Sequence, residues 1–268
     1  MFKNFRKSKK AAFPSFPVLV GNTHHIGKRE SQQDSFAISD ISDLGLTVHK
    51  GIFGVVADGM GGMADGAEAG SIVSGTMLKY WSEAEYILQP ETDLLKMLVL
   101  ANDNVNSFMS GRGKGGSTAV ATILIGGMLY WIAVGDSRIY LVRNGAPVQL
   151  NREHVYSAEL DEMAAMGEIS WEHAFDSSKR DNLTACLGMG KPEKIDRNIN
   201  PVQLLPGDRV LLMSDGVFGT LNDYEIMETM PFDPHVSSVK LQEKILEKAD
   251  PNQDNFTAII FEYWGIQS

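Results

Sequence analysis

The sequence predicts an α/β fold of the α+β kind, with antiparallel sheets covered by helices, on three observations. Short β-rich runs dominate the chain. Two of the junctions between them, Gly126-Gly127 and Asn144-Gly145, are two-residue hairpin turns, which join antiparallel neighbours. The helical stretches are grouped between sets of strands, the order from which layers of helix on sheet are built.

The elements follow in order. Residues 19–25, 35–39 and 51–57 carry the β-branched and aromatic content of strands. Apolar residues three and four apart make residues 66–82 and 92–109 helices, and Met77, Leu78 and Trp81 fall on one face as core packing. Residues 118–125 and 128–134 flank the first hairpin turn, and 138–143 runs into the second. Residues 151–190 depart from the pattern: a helix-like stretch at 157–166 is closed by Gly167, and a polar, charge-mixed loop runs on to Leu187-Gly188. A segment this irregular between core strands reads as a lid or specificity insert. A strand at 209–213, a helix at 236–249 and a strand at 256–263 complete the chain.

A chain of 268 residues with 43% hydrophobic content supports one sizeable domain. Residues 1–17 read as a basic, disordered tail and 18–268 as the catalytic domain. The formal charge of -10 argues against a nucleic-acid partner, because phosphate backbones are held by basic surfaces. An anionic substrate would then need a local positive centre, which divalent ions provide. The single cysteine, Cys186, fits a reducing cytosol and reads as a small buried side chain. Absence of a long apolar run implies no membrane span.

Four acidic residues each sit where a hydrophobic strand meets a turn: Asp58, Asp136, Asp215 and Asp254. Carboxylates at the ends of strands lying side by side converge on one edge, and cations make such crowding tolerable. The chain therefore reads as a hard-metal enzyme. Asp58-Gly59-Met60-Gly61-Gly62 is the sharpest local signal, since a glycine after the carboxylate frees a backbone carbonyl to turn toward the same ion. Alone it is an ordinary glycine-rich turn; the second copy, Ser214-Asp215-Gly216, reverses that preference. Gly111–Gly116 matches a dinucleotide fingerprint in letters only, because it follows a helix and precedes a strand. His24-His25 is a poor metal pair, because adjacent strand residues face opposite ways.

Taken in order, Gly27-Lys-Arg-Glu-Ser-Gln-Gln-Asp34, Val55-Val-Ala-Asp-Gly-Met-Gly-Gly62, Gly116-Ser-Thr-Ala119, Ala133-Val-Gly-Asp-Ser-Arg138, Leu183-Thr-Ala-Cys-Leu-Gly188, Leu212-Met-Ser-Asp-Gly216 and Gln253-Asp-Asn255 resemble the metal-dependent protein serine/threonine phosphatases of the type 2C class. Met60 and the brevity of the chain look like the bacterial branch. The resemblance implies a four-layer α-β-β-α sandwich with two central antiparallel sheets, and hydrolysis of phosphoserine and phosphothreonine in proteins by a metal-activated water. Asp58 would bridge two Mn²⁺ or Mg²⁺ ions, Gly59 would offer its carbonyl to one, and Asp215 and Asp254 would hold the other. Asp136 with Asp215 would form a weaker third site, weakened further by Gly219 where the family often places an Asp. Arg29 would grip the substrate phosphate and Asp34 would act through metal-bound water, with the amide of Gln33 beside it. With Met60 in place of the eukaryotic branch's histidine, the flap histidines His154 and His173 are the candidate acids. The implied partners are phosphorylated proteins and a cognate eukaryotic-like serine/threonine kinase with its substrates, around a cytoplasmic monomer. Two rivals, a catalytically dead phosphoprotein-binding relative and a two-metal nuclease, fit less well with the retained Asp58, Asp215 and Asp254 and with the acidic chain.

Overall fold

The computed structural model describes residues 17–113 and 115–265, so the expected tail over 1–17 lies, Pro17 apart, outside the described residues. In chain order the elements are β1 (Val18–His25), β2 (Asp34–Ile38), α1 (Leu44–Lys50), β3 (Ile52–Met60), α2 (Met63–Glu83) and α3 (Pro90–Met109). Next come β4 (Gly116–Ser117), β5 (Ala119–Ile125), β6 (Met128–Val134), β7 (Arg138–Arg143) and β8 (Ala146–Gln149). The insert holds α4 (Tyr156–Ala165) and α5 (Trp171–Asp176). After it come β9 (Asp196–Arg197), β10 (Val202–Gln203), β11 (Arg209–Met213), α6 (Asp215–Phe218), α7 (Asp223–Glu228), α8 (Pro234–Glu247) and β12 (Phe256–Tyr263).

Two antiparallel sheets form the centre. One runs β1-β12-β11-β7-β8, the other β10-β6-β5-β3-β2, with β4 added to β3 and β9 to β6. The central strands are apolar on both faces, which is why they read as continuous hydrophobic runs. In β12, Ile259 and Phe261 enter the core between the sheets with Val56, Val120, Leu141 and Leu212. The alternate residues Ala258 and Ile260 pack outward with Leu211, Leu241 and Ile245 beneath the C-terminal helices. On the other flank Phe53, Val55 and Ala57 meet Met77, Trp81, Leu94 and Met97 of α2 and α3. Three apolar layers between four structural ones make the α-β-β-α sandwich that the sequence implies. Leu78 packs at the edge of the same cluster as Met77 and Trp81.

Local chemistry sets the helix starts. Pro90 begins α3 and Pro234 begins α8, positions where a missing N–H costs nothing. Asp233 caps α8 by accepting from the His235 and Val236 amides at 3.1 and 3.2 Å. Asn222 and Glu225 close a reciprocal capping box on α7.

One expectation changes with consequence: β3 does not stop at Ala57 but continues to Met60, because Gly59 and Met60 pair with Ser117 and Gly116 of β4. Asp58 thus lies inside a strand. The insert folds on a small core of its own, Leu160, Ala164 and Ala174. It returns to the body through the His154 amide, which donates to Gly135 O at 2.8 Å, and the Leu187 amide, which donates to Ser117 O at 2.8 Å. Among the described residues no helix is long and apolar enough to cross a membrane.

Candidate metal centre

Register brings the acidic residues together. In one sheet, Met213 of β11 faces both Ala258 of β12 and Arg138 of β7, so Asp215, Asp254 and Asp136 emerge at the same end. In the other sheet Asp34 is the direct partner of Asp58 across β2 and β3. Both ends open on one cleft of about 580 Å³, lined by Arg29, Asp58, Gly59, Asp136, Asp215 and Asp254, with Gln33, Met60, Thr118 and Asn255. Six of the seven residues singled out by the sequence therefore line one cavity. The seventh, Asp34, is buried behind it. Asp34 Oδ2 accepts the Ser214 hydroxyl at 2.6 Å and the Thr257 hydroxyl at 2.7 Å, which ties the first sheet to the second.

The electrostatics are those of an uncompensated cluster. Burial raises the Asp58 carboxyl well above the usual range, with Asp34, Asp215, Asp136 and Asp254 adding to it. Burial, then repulsion from Asp215, lifts Asp136 to about 7. Asp34 is pushed up to about 6 by burial first, against the pull of its two hydroxyl donors. Asp215 is raised by burial and by Asp254. A buried carboxyl oxygen of Asp136, Oδ1, has no hydrogen-bond partner, an arrangement that costs free energy unless a cation meets it. The donors are all oxygens, the set that Mg²⁺ and Mn²⁺ prefer, so the residues present fit a hard divalent ion. The carboxylates ring the cleft rather than meeting at a point, and among the described residues no three acidic or histidine side chains close on an ion-sized space. Arg29 Nη2 already pairs with Asp254 Oδ2 at 2.5 Å.

Gly59 is needed for a reason other than the one its sequence suggests. Positive backbone φ belongs to Gly61, at 136°; at Gly59 a Cβ would lie 2.0 Å from Gly66 O and 2.8 Å from Gln33 O. The strand carrying Asp58 is thus pressed against the start of α2 and the 26–33 loop. Gly59→Ala should lose about 1–3 kcal/mol of stability, the range of overpacked sites with backbone shifts, and should lower activity by moving Asp58. Urea unfolding and a phosphatase assay check both; a variant as stable as the parent would mean that Gly66 yields.

Several contributors have no assigned role in the sequence reading. Asn255 accepts the Gln33 amide at 2.7 Å and donates to Ile26 O at 2.8 Å and Ser31 O at 3.0 Å, so it holds the loop that carries Arg29. The signal was its position directly after Asp254. Thr118 Oγ1 accepts the Asp58 amide at 3.0 Å. From the insert, Asp181, Asn182 and Leu183 reach the cleft, whereas His154 and His173 do not line it. His154 Nδ1 instead accepts the Gly135 amide at 3.1 Å, and burial lowers its pKa. Cys186 is buried, and burial pushes its thiol up, which makes it a packing residue.

Known proteins are similar to this chain in sequence and fold. A family model described as Protein phosphatase 2C matches residues 21–255. The serine/threonine phosphatase stp of Listeria innocua serovar 6a is 30% identical over 224 residues, covering 78% of this chain and 83% of its own. Among solved structures, the PPM Ser-Thr phosphatase MsPP of Mycobacterium smegmatis, in complex with cacodylate, is 27% identical with a TM-score of 0.71, covering 92% of this chain and 98% of its own. The catalytic domain of the serine/threonine phosphatase PstP, in complex with 2 manganese ions, has a TM-score of 0.73 over 92% of this chain and 99% of its own, and at 22% identity it is a likeness of fold. A family model that spans most of the chain places this protein in the protein phosphatase 2C family.

Proposed function

We propose that this serine/threonine protein phosphatase works with Mn²⁺ or Mg²⁺ held by Asp58, Asp215, Asp254 and the Gly59 carbonyl, two ions in all, with a weaker third at Asp136 and Asp215. The observation that carries the reading is the carboxylate-ringed cleft in which Asp58, Asp136, Asp215 and the adjoining Asp34 are all raised by burial. Such ions, when bound, lower the pKa of water toward neutrality and draw charge from phosphoryl oxygens.

The chain's own residues do the rest. Asp34, with both hydroxyl donors on Oδ2, keeps Oδ1 to orient water. Arg29, half exposed at the rim and paired with Asp254 through Nη2, has further N–H donors in the fixed fork that suits a phosphate. Met60 lines the cleft with no proton to give, and among the described residues no histidine lines it. The leaving alkoxide therefore takes its proton from solvent. The insert at 151–190 acts as a flap, bringing Asp181, Asn182 and Leu183 to the substrate. Phosphorylated proteins are the substrates, opposing a eukaryotic-like kinase, for a monomer working in the cytoplasm.

Hydrolysis of p-nitrophenyl phosphate and of a phosphothreonine peptide, with and without Mn²⁺ and beside a phosphodiester, tests the reading. Turnover of both monoesters only with the ion is expected. Diester cleavage at comparable rate would make the chain a nuclease, and no turnover at all would make it a binding protein.

A further inference from the structure

The paired histidines at the end of β1 have separate settings. His25 stacks on Phe256 at 5.1 Å and accepts the Gly27 amide on Nδ1 at 2.9 Å. His24 lies on the other side, its ring 5.2 Å from that of Phe36. Its strand partner across β12 is Thr257, and His24 Nδ1 stands 2.9 Å from Thr257 Oγ1.

Thr257 Oγ1 is in turn 2.7 Å from Asp34 Oδ2. The two hydroxyls that serve Asp34 are held differently. Ser214 Oγ accepts the Thr257 amide at 2.9 Å, so the backbone itself directs the Ser214 proton onto Asp34. The Thr257 hydroxyl takes no such backbone donor among the described residues, and a threonine has one hydroxyl proton to place. With that proton on Asp34, Thr257 Oγ1 can hydrogen-bond His24 only as an acceptor, which requires that Nδ1 carry a hydrogen and donate. In the opposite tautomer Nδ1 would draw the Thr257 proton outward, leaving lone pairs of Thr257 and Asp34 facing each other in a buried site.

We propose that His24 is a positioning residue for the reaction: its Nδ1–H turns the Thr257 hydroxyl onto Asp34 Oδ2, locking that carboxylate so that Oδ1 serves the substrate side. The proposal rests on the role given to Asp34 above. It assigns a purpose to a residue that touches neither substrate nor ion.

Two substitutions separate this from packing. His24→Phe keeps a ring against Phe36 but removes the donor, and should lower kcat roughly five- to tenfold, the worth of one hydrogen bond, with KM and melting temperature little changed. His24→Asn places an amide N–H where Nδ1 stood, and should restore kcat to within about twofold. In a Thr257→Val background His24→Phe should have no further effect on kcat, the signature of action through that hydroxyl. Nitrogen-15 shifts of the His24 ring at about pH 8, above the ordinary imidazole range, should show Nδ1 protonated and Nε2 bare. Parental kcat in His24→Phe, an Asn variant as slow as the Phe variant, or an Nε2–H tautomer would each overturn the proposal. Asp34→Asn tells this failure from failure of the underlying reading: if that variant turns over normally, the role of Asp34 falls, and if it is inactive while His24→Phe is not, only the role of His24 falls.

Discussion

Asp58→Asn is expected to lower kcat toward a phosphothreonine peptide at least about a thousandfold, ~4 kcal/mol of barrier, and to leave the chain folded. Asp58 sits in a strand between the two sheet ends, where Asp34, Asp215, Asp136 and Asp254 all act on it. Asparagine keeps its shape and removes the charge with which Asp58 would hold the ions proposed above. The same change relieves the most crowded carboxyl of the cleft, so the melting temperature measured in chelator should rise while activity disappears, the trade expected of a functional site. Phosphate release across a Mn²⁺ titration and calorimetry in chelator read the two effects. More than a few per cent of parental kcat at saturating Mn²⁺ would remove Asp58 from the ion cluster. A fall in melting temperature would show that its charge has a partner within the protein.

Stability in chelator should fall as pH rises toward neutrality, and Mn²⁺ should flatten that slope. A carboxyl whose folded pKa is raised holds a proton that the unfolded chain has already released. The folded state then binds more protons than the unfolded one, and linkage makes stability decrease with pH between the two values. For Asp34 the window runs from 3.8 to about 6, and for Asp136 from 3.8 to about 7. At ~1.4 kcal/mol per unit these shifts amount to ~3 and ~4 kcal/mol, fully lost only above the upper pKa. A bound cation favours the ionised form and removes the penalty. Denaturant unfolding at about pH 5 and about pH 8, with and without Mn²⁺, measures it. Stability in chelator that rises over that interval would contradict an uncompensated cluster.

The sequence carried the strands well where their runs were bounded by special turns. Residues 128–134 and 138–143 match β6 and β7 to the residue, because a two-residue turn fixes the start of the first and the end of the second. It failed on short elements: α6 is four residues long and contains Gly216, too brief for a period of 3.6 to show. In α1 and α7 capping by Asp43 and Asn222 makes up for weak periodicity. The site was legible because like charges at strand ends imply a common destination. What no spacing reveals is contact: that Gly59 is squeezed by Gly66, that Asn255 staples the Arg29 loop, and that His154 spends its nitrogen on Gly135.

The bonds of Asp34 to Ser214 and Thr257 bridge 180 and 223 residues of sequence. Contacts so distant along the chain form late, since a large loop must close before they contribute. Catalytic competence should therefore return only in the last kinetic phase of refolding, after fluorescence and circular dichroism have recovered, when the β2 edge of one sheet meets the β11–β12 face of the other. A chain cut within the insert, whose small core belongs to neither sheet, should regain turnover only on mixing its two halves.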